Sequence, residues 1–411
     1  MTATPNAPET PATPATPAGP SRRAVLALLG AGAVAVPLAW TSANAAAEPG
    51  PLAAGPFRVY LGAYTGGSAD RGVGVATADD ATGTLTLDAV TPTVDPSFLA
   101  LFGASGAAPV LYAVNEGGAN RVSAFALDQA GGVSASLGES PSGGEAPCHL
   151  AVHPAGGHLF IANYNSGTVA VVALGADGAP TGLVQEIQHT GSGPNPGRQE
   201  GPHAHMVLLD PSGDRLFVCD LGTDSVFVYA FDAAQGRLTQ EHEVKLSPGS
   251  GPRHMALHPD GTAAYVLGEL DSTLTPCAYD AGSGALTPGT PVPTLPDGTS
   301  TEGKLAAEVL VSSDGRFVYC SNRGDDSVAI FAVADGDPTS VQLVGHHPCG
   351  GSWPRHISLD PEERWLYVAN QYSGNVTVLA RDADSGELTD TGQTLAYPQV
   401  VCVLPAPAPA G

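Results

Sequence analysis

Short runs in which apolar and polar residues alternate recur through most of the chain, in a unit that returns seven times at intervals of about 50 residues. Each unit starts near a Pro-x-x sequence, continues into one alternating run, turns at a His/Asp-Pro-x-Gly type sequence, and enters a second run. The clearest copies span residues 147–163, 252–269 and 354–370. Period-2 alternation predicts short strands, and a repeat of this length with Gly-rich turns is typical of a β-propeller blade.

The length of the repeat can be measured between the ends of the second run in successive units. Successive ends are separated by 48 to 57 residues, which leaves room for four short strands per unit. The seven ends are Ala63, Asn115, Asn163, Asp220, Glu269, Asn322 and Asn370. A third alternating run follows each end, as in residues 167–172, 225–229 and 375–379, and a looser fourth run follows that.

The two ends of the chain are out of phase with the repeat. The first strand-like run, residues 57–63, matches a second strand, whereas the seventh copy of a first strand, residues 398–404, stands near the C-terminus. Pairing these two runs closes a ring and removes the exposed sheet edges that an open ring would have. The chain is therefore predicted to be an all-β, seven-bladed β-propeller whose C-terminal strand joins the N-terminal blade.

Composition supports one turn-rich, all-β domain. Among 411 residues there are 52 glycines and 37 prolines, and the repeat runs almost end to end. The formal net charge is -24, which argues against nucleic acid as a partner because phosphate binding needs a basic surface.

The N-terminus has the pattern of an export signal. Arg22 and Arg23 precede an apolar stretch that runs to about Trp40, and small residues follow at positions 43–45. This pattern predicts a twin-arginine signal peptide over residues 1–45, so the protein is expected to be exported, to the extracellular space or the cell envelope. A membrane anchor is the alternative, but the stretch is short and rich in Gly and Ala, so no stable span is expected after cleavage. The predicted organisation is then signal 1–45, linker 46–56, propeller 57–404 and tail 405–411.

No metal site and no cofactor are predicted. None of the six cysteines has C-x-x-C spacing, and most are expected to be small buried residues, with one disulfide possible. His203 and His205 lie two residues apart on one strand face and could share a zinc ion with Glu200, but no carboxylate-rich set accompanies them.

The first strands align into two columns of side chains that are expected to converge on the central channel. The first column is Ser97, Cys148, His205, Arg253, Ala307, Arg355 and Gln399, and the second is Phe98, His149, Met206, His254, Glu308, His356 and Val400. Since the second strand runs antiparallel to the first, its end returns to the same mouth of the channel. Glu269 and Arg323 are therefore expected beside Arg253 and His205, at a solvated rim.

Crowded guanidinium groups in a cleft repel one another unless carboxylates or an anionic ligand offset them. The set His205, Arg253, Glu269 and Arg323 is therefore the candidate catalytic group, although any one of these residues alone could be a solvated channel-lining side chain. Substrate-binding roles are assigned to nearby residues of the columns and to one flanking histidine: His149, His203, His254, Glu308, Arg355 and His356. The turns at His153, Asp210, His258 and Asp360 are expected at the opposite mouth.

Six ordered motifs resemble one known family. They are residues 202–205 (PHAH), 220–224 (DLGTD), 251–254 (GPRH), 268–270 (GEL), 307–324 (AEV through SNRG) and 353–356 (WPRH). Over residues 57–404 the chain is similar to the seven-bladed propeller lactonases, which include bacterial 6-phosphogluconolactonases and fungal carboxymuconate cyclases.

The resemblance implies a hydrolase that opens a small anionic, sugar-type lactone with His205, Arg253, Glu269 and Arg323. Glu269 or His205 would act as general base and the arginines would stabilise negative charge. Two alternatives stay open: a cycloisomerase that closes muconate-type diacids, and a propeller that binds a ligand or partner without catalysis. The export signal departs from the cytosolic setting of a pentose-phosphate enzyme and leaves the natural substrate open.

Overall fold

The computed structural model describes residues 56–66, 68, 71–103 and 109–406. The described residues form 29 β-strands in seven antiparallel sheets, and these seven blades confirm the predicted propeller. The expected signal peptide, residues 46–55 of the linker and residues 407–411 of the tail lie outside the described residues. Among the described residues, no helix is long and apolar enough to span a bilayer.

The strands follow the chain from the inside of each blade to the outside. Blade 1 contains β1 (Phe57–Ala63), β2 (Gly72–Ala78) and β3 (Leu85–Pro92); blade 2 contains β4 (Pro96–Phe102), β5 (Val110–Asn115), β6 (Arg121–Leu127) and β7 (Val133–Pro141). Blade 3 contains β8 (Pro147–Val152), β9 (His158–Asn163), β10 (Thr168–Leu174) and β11 (Pro180–Gln188); blade 4 contains β12 (Ala204–Leu209), β13 (Arg215–Asp220), β14 (Ser225–Asp232) and β15 (Arg237–Lys245).

Blade 5 differs at its outer edge, where two short strands both pair with the third strand. It contains β16 (Pro252–Leu257), β17 (Ala263–Gly268), β18 (Thr273–Asp280), β19 (Ala285–Pro288) and β20 (Val292–Pro293). Blade 6 contains β21 (Leu305–Val311), β22 (Phe317–Arg323), β23 (Ser327–Ala334) and β24 (Asp337–Pro348); blade 7 contains β25 (Pro354–Leu359), β26 (Trp365–Asn370), β27 (Asn375–Arg381) and β28 (Leu388–Ala396). The last strand, β29 (Val400–Ala406), is the inner strand of blade 1.

Closure of the ring by β29 was predicted and is confirmed, but the strand begins two residues later than expected. Gln399 has a positive φ of 57° and the Val400 amide donates to the Tyr397 carbonyl at 3.2 Å, so residues 397–400 form a turn. Ala63 pairs with Val400 and Gly62 with Cys402. The blade 1 members of the two columns are therefore Val401 and Cys402, and the assignment of Gln399 and Val400 was wrong because Pro398 belongs to the turn.

The first column is a column of β-bulges. In blade 5, Pro252 pairs with Gly268 and His254 pairs with Leu267, so Arg253 is an extra residue on β16. Register shifts at the corresponding place occur in the other six blades. A bulge leaves its residue outside the ladder and redirects the side chain. The bulge in each blade thus directs one side chain toward the mouth of the channel, whereas regular strand pairing would not.

Neighbouring blades are joined by tyrosines on their second strands. In five blades the buried phenol donates to a backbone carbonyl at the outer edge of the next blade: Tyr60 to Gly131, Tyr112 to Gly178, Tyr265 to Pro338, Tyr319 to Gly386 and Tyr367 to Gly83, at 2.7 to 3.2 Å. Phe160 and Phe217 take the position in blades 3 and 4. The bond from Tyr367 crosses the closure, so the ring is held there by side chains as well as by β29.

The cysteines are buried packing residues. All six lie among the described residues, and each is a buried free thiol. Burial raises the pKa of the Cys148 thiol, which lies against the backbone carbonyl of His205 at 3.2 Å.

Candidate active site

One buried carboxylate organises the mouth at which the first strands begin. Glu269 directly follows β17 and is 2% exposed. Its Oε2 atom lies 3.1 Å from Nε of Arg253 and 2.8 Å from Nη2 of Arg323, and Oε1 lies 2.5 Å from Nη2 of Arg198. Burial raises the pKa of Glu269, but the three guanidinium groups outweigh it and lower the pKa to about 2. Glu269 is therefore a carboxylate at all physiological pH values.

Each guanidinium is also held by other groups. Arg253 donates through Nη1 to the Ala307 carbonyl, and Arg323 donates through Nη2 to the Ala306 carbonyl at 2.9 Å. The Cζ atom of Arg323 lies 5.6 Å from the ring centroid of Trp353, in a cation–π contact. Burial, together with the charges of Arg323 and of Arg355, lowers the pKa of Arg253 to about 10.

Arg253 and Arg323 are only 3% and 4% exposed, so the expectation of a solvated rim was wrong for these residues. Their side chains form a buried ion network beneath the mouth. The bulge residue Arg253 reaches the Ala307 carbonyl of the next blade, and Arg323, the last residue of β22, reaches Glu269 of blade 5, so contacts between blades bury both side chains. Three cations face one carboxylate here, which leaves a surplus of positive charge in a chain of formal net charge -24.

Arg198 was not predicted from the sequence. It lies in the irregular segment between β11 and β12, residues 189–203, which the repeat alignment does not cover. The neighbouring Gln199 is fully buried and anchors this segment by donating to the Leu221 carbonyl at 2.8 Å and to Asp224 at 2.7 Å. Arg198, with 35% of its side chain exposed, reaches Glu269 and also donates to the Tyr164 hydroxyl at 3.2 Å. The available signal was the repeat interval of 57 residues, the longest in the chain.

His205, the bulge residue of β12, stands next to this network. The ring is 5% exposed, and its Nδ1 atom has no hydrogen-bond partner among the described residues. Its centroid lies 5.6 Å from that of Tyr164 and 5.1 Å from that of His254, with the rings edge to face. Burial, reinforced by the charge of Arg253, holds the pKa of His205 well below the usual range. The imidazole is consequently neutral near pH 7.

Two of the predicted substrate-binding residues lie at the mouth. Arg355, the bulge residue of β25, donates to the Tyr64 hydroxyl at 3.0 Å, and that hydroxyl donates to Glu116 at 2.8 Å. His203 stacks on Tyr164 with centroids 4.4 Å apart, and its Nδ1 atom lies 2.9 Å from the Tyr164 carbonyl.

The other four predicted substrate-binding residues lie deeper, in a layer directly below the first column. His149, His254, Glu308 and His356 are each 2% to 4% exposed. His254 Nδ1 lies 2.9 Å from Glu308 Oε1, and His356 Nε2 lies 3.5 Å from Glu308 Oε2. His149 packs on Phe98 with centroids 3.9 Å apart.

Metal binding is not supported by the geometry of the described residues, in which no group of three or more His, Cys, Asp or Glu side chains is arranged to hold an ion. His203 is stacked on Tyr164, and His205 meets the same ring edge to face.

The turns between first and second strands carry structural hydrogen bonds. Asp210 accepts from the Arg215 amide at 3.1 Å, and Asp360 accepts from the Trp365 amide at 2.6 Å. His153 and His258 accept from amides two residues further on. These residues stand at the opposite end of the inner strands from Arg253 and Glu269, and they close tight turns.

Comparison with known proteins identifies the family. The family model described as lactonase, seven-bladed β-propeller, matches residues 58–405. The chain belongs to this family. A 6-phosphogluconolactonase of Bacillus subtilis is 35% identical over 297 residues, which cover 72% of this chain and 83% of that protein. The family resemblance predicted from the six motifs is thus confirmed, and the chain is a lactone-hydrolysing enzyme.

Solved structures in the lactonase family agree. A periplasmic gluconolactonase of Pseudomonas aeruginosa matches with a TM-score of 0.79 and 31% identity, covering 86% of this chain and all of that one. A putative 6-phosphogluconolactonase of Bacteroides fragilis matches with a TM-score of 0.79 and 29% identity, covering 87% of this chain and all of that one.

Proposed function

We propose that this family member hydrolyses a small anionic, sugar-type lactone at the mouth formed by His205, Arg253, Glu269 and Arg323. The observation that carries the proposal is the buried cluster of three guanidinium groups around a single carboxylate. The surplus positive charge attracts an anionic substrate and favours the negative charge that develops on a carbonyl oxygen during ester cleavage.

His205 is the better general base. Glu269, with a pKa of about 2, binds a proton too weakly to activate water at neutral pH. The His205 imidazole is neutral, and an anion bound against Arg253 and Arg323 would offset the charges that depress its pKa. Binding of the substrate therefore makes His205 more basic, and Glu269 serves to hold the arginines.

The guanidinium groups supply oxyanion stabilisation. Water attacks the lactone carbonyl carbon, its proton passes to His205, and the tetrahedral oxyanion lies against Arg253 and Arg323. Collapse breaks the ring C–O bond, and His205 returns the proton to the leaving alkoxide. Removal of one such charged donor commonly costs about 10²-fold or more in rate.

The remaining polar residues at the mouth suit the distal part of the substrate. Arg355 is anchored by Tyr64 and Arg198 by Tyr164, and Arg198 keeps about a third of its side chain exposed. Either guanidinium can take a carboxylate or phosphate group of the substrate. His203 donates its Nδ1 proton to the Tyr164 carbonyl, which leaves Nε2 as an acceptor for a substrate hydroxyl.

The test is a substrate screen with the protein from residue 46 onward. Acid release is followed in a pH-stat near pH 6.5, where spontaneous lactone opening is slow, on sugar δ-lactones with and without a phosphate group. Saturable hydrolysis that Arg253→Lys reduces by about 10²-fold is expected. Turnover of muconate-type diacids instead would identify a cycloisomerase, and ligand-dependent thermal stabilisation without turnover would identify a binding protein.

Export is part of the proposal. It rests on the paired arginines at positions 22 and 23 and on the periplasmic location named for the Pseudomonas relative. The expected result is that the exported protein begins at residue 46, by N-terminal sequencing, and stays in the cytoplasm when Arg22 and Arg23 are both changed to Lys.

A further inference from the structure

His205 and the layer of side chains below it contain buried polar atoms that the proposed hydrolysis does not use. Four imidazole nitrogens and one carboxylate oxygen there are fully covered and have no hydrogen-bond partner among the described residues. They are Nδ1 of His205, Nε2 of His254, both ring nitrogens of His149, and Oε2 of Glu308. A buried polar atom without a partner costs about 1 to 3 kcal/mol, so each of these atoms calls for a partner such as an ordered water molecule.

These atoms form a series along the channel. The centroid of His205 lies 5.1 Å from that of His254, and the centroid of His254 lies 5.3 Å from that of His149. A water molecule that accepts from Nδ1 of His205 and donates to Nε2 of His254 would satisfy both atoms with hydrogen bonds of about 2.8 Å. Buried water normally occurs at sites lined by otherwise unsatisfied polar groups.

The far end of the series can store a proton. His254 Nδ1 lies 2.9 Å from Glu308 Oε1, within direct hydrogen-bond distance. Burial raises the pKa of Glu308 and lowers the pKa of His254. A proton that reaches Nε2 of His254 can therefore be matched by transfer of the Nδ1 proton to Glu308, which leaves a neutral imidazole beside a neutral carboxylic acid.

A purely structural role would explain less. If His254 and Glu308 only filled the channel, the hydrogen bond between Nδ1 of His254 and Glu308 would be sufficient. Phe98 already supplies apolar packing against His149 and His356. A purely structural role would not need Nε2 of His254 and Nδ1 of His205 to be buried without partners on adjacent rings.

We propose that His254 and Glu308 are positioning residues that form a water-bridged proton relay with His205 and move the proton of the attacking water away from the arginine cluster. When water forms its bond to the carbonyl carbon, its proton goes to Nε2 of His205. The Nδ1 proton of His205 passes through the bridging water to Nε2 of His254, and the Nδ1 proton of His254 passes to Glu308. The same path returns one proton to the alkoxide when the ring C–O bond breaks.

The relay rests on the proposed hydrolysis and removes an electrostatic difficulty from it. An imidazolium at His205 would stand beside Arg253, Arg323 and Arg355, whose charges already depress its pKa. Storing the proton on Glu308 neutralises a buried carboxylate instead of adding a fourth cation. The titratable and charged groups that face His254 are Glu308, His356, His149, His205, Arg253, Arg355 and Glu269.

The test compares Glu308→Gln and His254→Asn with His258→Asn. His258 follows the other end of the same strand, β16, and its Nδ1 atom also lies near a carboxylate, Asp260, at 2.8 Å. Both relay variants are expected to lower kcat by about 10²-fold at nearly unchanged KM. Glu308→Gln should also move the acid limb of kcat/KM to lower pH, because it removes a negative charge that favours protonated imidazoles, and the control should match wild type.

Several outcomes would overturn the relay. One is that the folded relay variants keep kcat within two-fold of the wild-type value and keep the wild-type pH profile. Another is a raised KM at constant kcat, which would mean that these residues contact the substrate directly. If neither variant folds, the relay is tested by the kcat of Glu308→Asp and by a proton inventory, in which the kcat of the wild type is measured in mixtures of H₂O and D₂O. A curved inventory indicates more than one proton in motion, and a linear one contradicts the relay. If wild type hydrolyses no lactone, the proposed function fails, whatever these variants show.

Discussion

Replacing Glu269 by glutamine removes the only negative charge that contacts the three guanidinium groups of Arg198, Arg253 and Arg323 among the described residues. The shape of the side chain is kept, so the change isolates the charge. The pKa of Glu269 falls from its ordinary value of 4.5 to about 2, and one pKa unit corresponds to about 1.4 kcal/mol. The charged carboxylate is thus favoured by about 3 kcal/mol, in line with the cost of breaking a buried ion pair.

The sign of the pH dependence follows from linkage. Because the pKa is lower in the folded state, the stabilisation is fully present above about pH 4.5 and is lost as the pH falls through about 2. The free energy of unfolding of Glu269→Gln should therefore be about 3 kcal/mol below that of wild type at pH 7. The difference should shrink to about half of that at pH 3.

Urea denaturation at pH 7 and pH 3 measures both values, and Glu241→Gln is the matched control. Glu241 pairs with Arg215 at 2.9 Å, but the two side chains are 30% and 18% exposed, and such pairs contribute at most about 1 kcal/mol. Inorganic phosphate should stabilise Glu269→Gln more than wild type, since the uncompensated guanidinium groups bind anions. If Glu269→Gln is as stable as Glu241→Gln at pH 7, or the difference does not change with pH, the electrostatic reasoning is refuted.

Three other features, a guanidinium fork, an imidazole and the closing strand, can be tested separately. Arg253→Lys keeps the charge but loses the fork that reaches both Glu269 and Ala307, so kcat/KM should fall about 10²-fold. Because burial and neighbouring cations hold the pKa of His205 below 6.5, kcat/KM should stay level from pH 7.5 down to pH 6, and an acid limb at or above 6.5 would contradict the assignment. A chain that ends at Tyr397 lacks β29, whose buried valines and leucine are each worth about 1.5 to 3 kcal/mol, so circular dichroism should show no cooperative melting.

The repeat determines the architecture because a blade is a local structure. Alternating runs and Gly-rich turns specify each sheet within about 50 residues, and the phase difference between the chain ends requires β29 to pair with β1. The catalytic candidates could be found for the same reason. Equivalent positions of a propeller converge on the axis, so aligning the repeats places Arg253, Glu269 and Arg323 at one mouth.

What the repeat does not encode had to come from tertiary structure. Arg198 lies outside the repeat, and its contact with Glu269 depends on how residues 189–203 cross the mouth. The pairing register of β29 in blade 1 depends on a turn at Gln399. In sequence, this turn resembles the start of a first strand.

Burial of the ion network was also invisible in the sequence. Arginine and glutamate are usually exposed residues, and nothing local distinguishes those that neighbouring blades cover, as they cover Glu269. The alignment placed His254 and Glu308 in one column, but only the distance between their side chains turns that shared position into a hydrogen-bonded pair. Local patterns determine which side chains point to the axis, whereas the pKa values, pairing and burial of those side chains depend on the distances between blades. The reason is that electrostatic energies in a low-dielectric interior vary steeply with separation and solvent access.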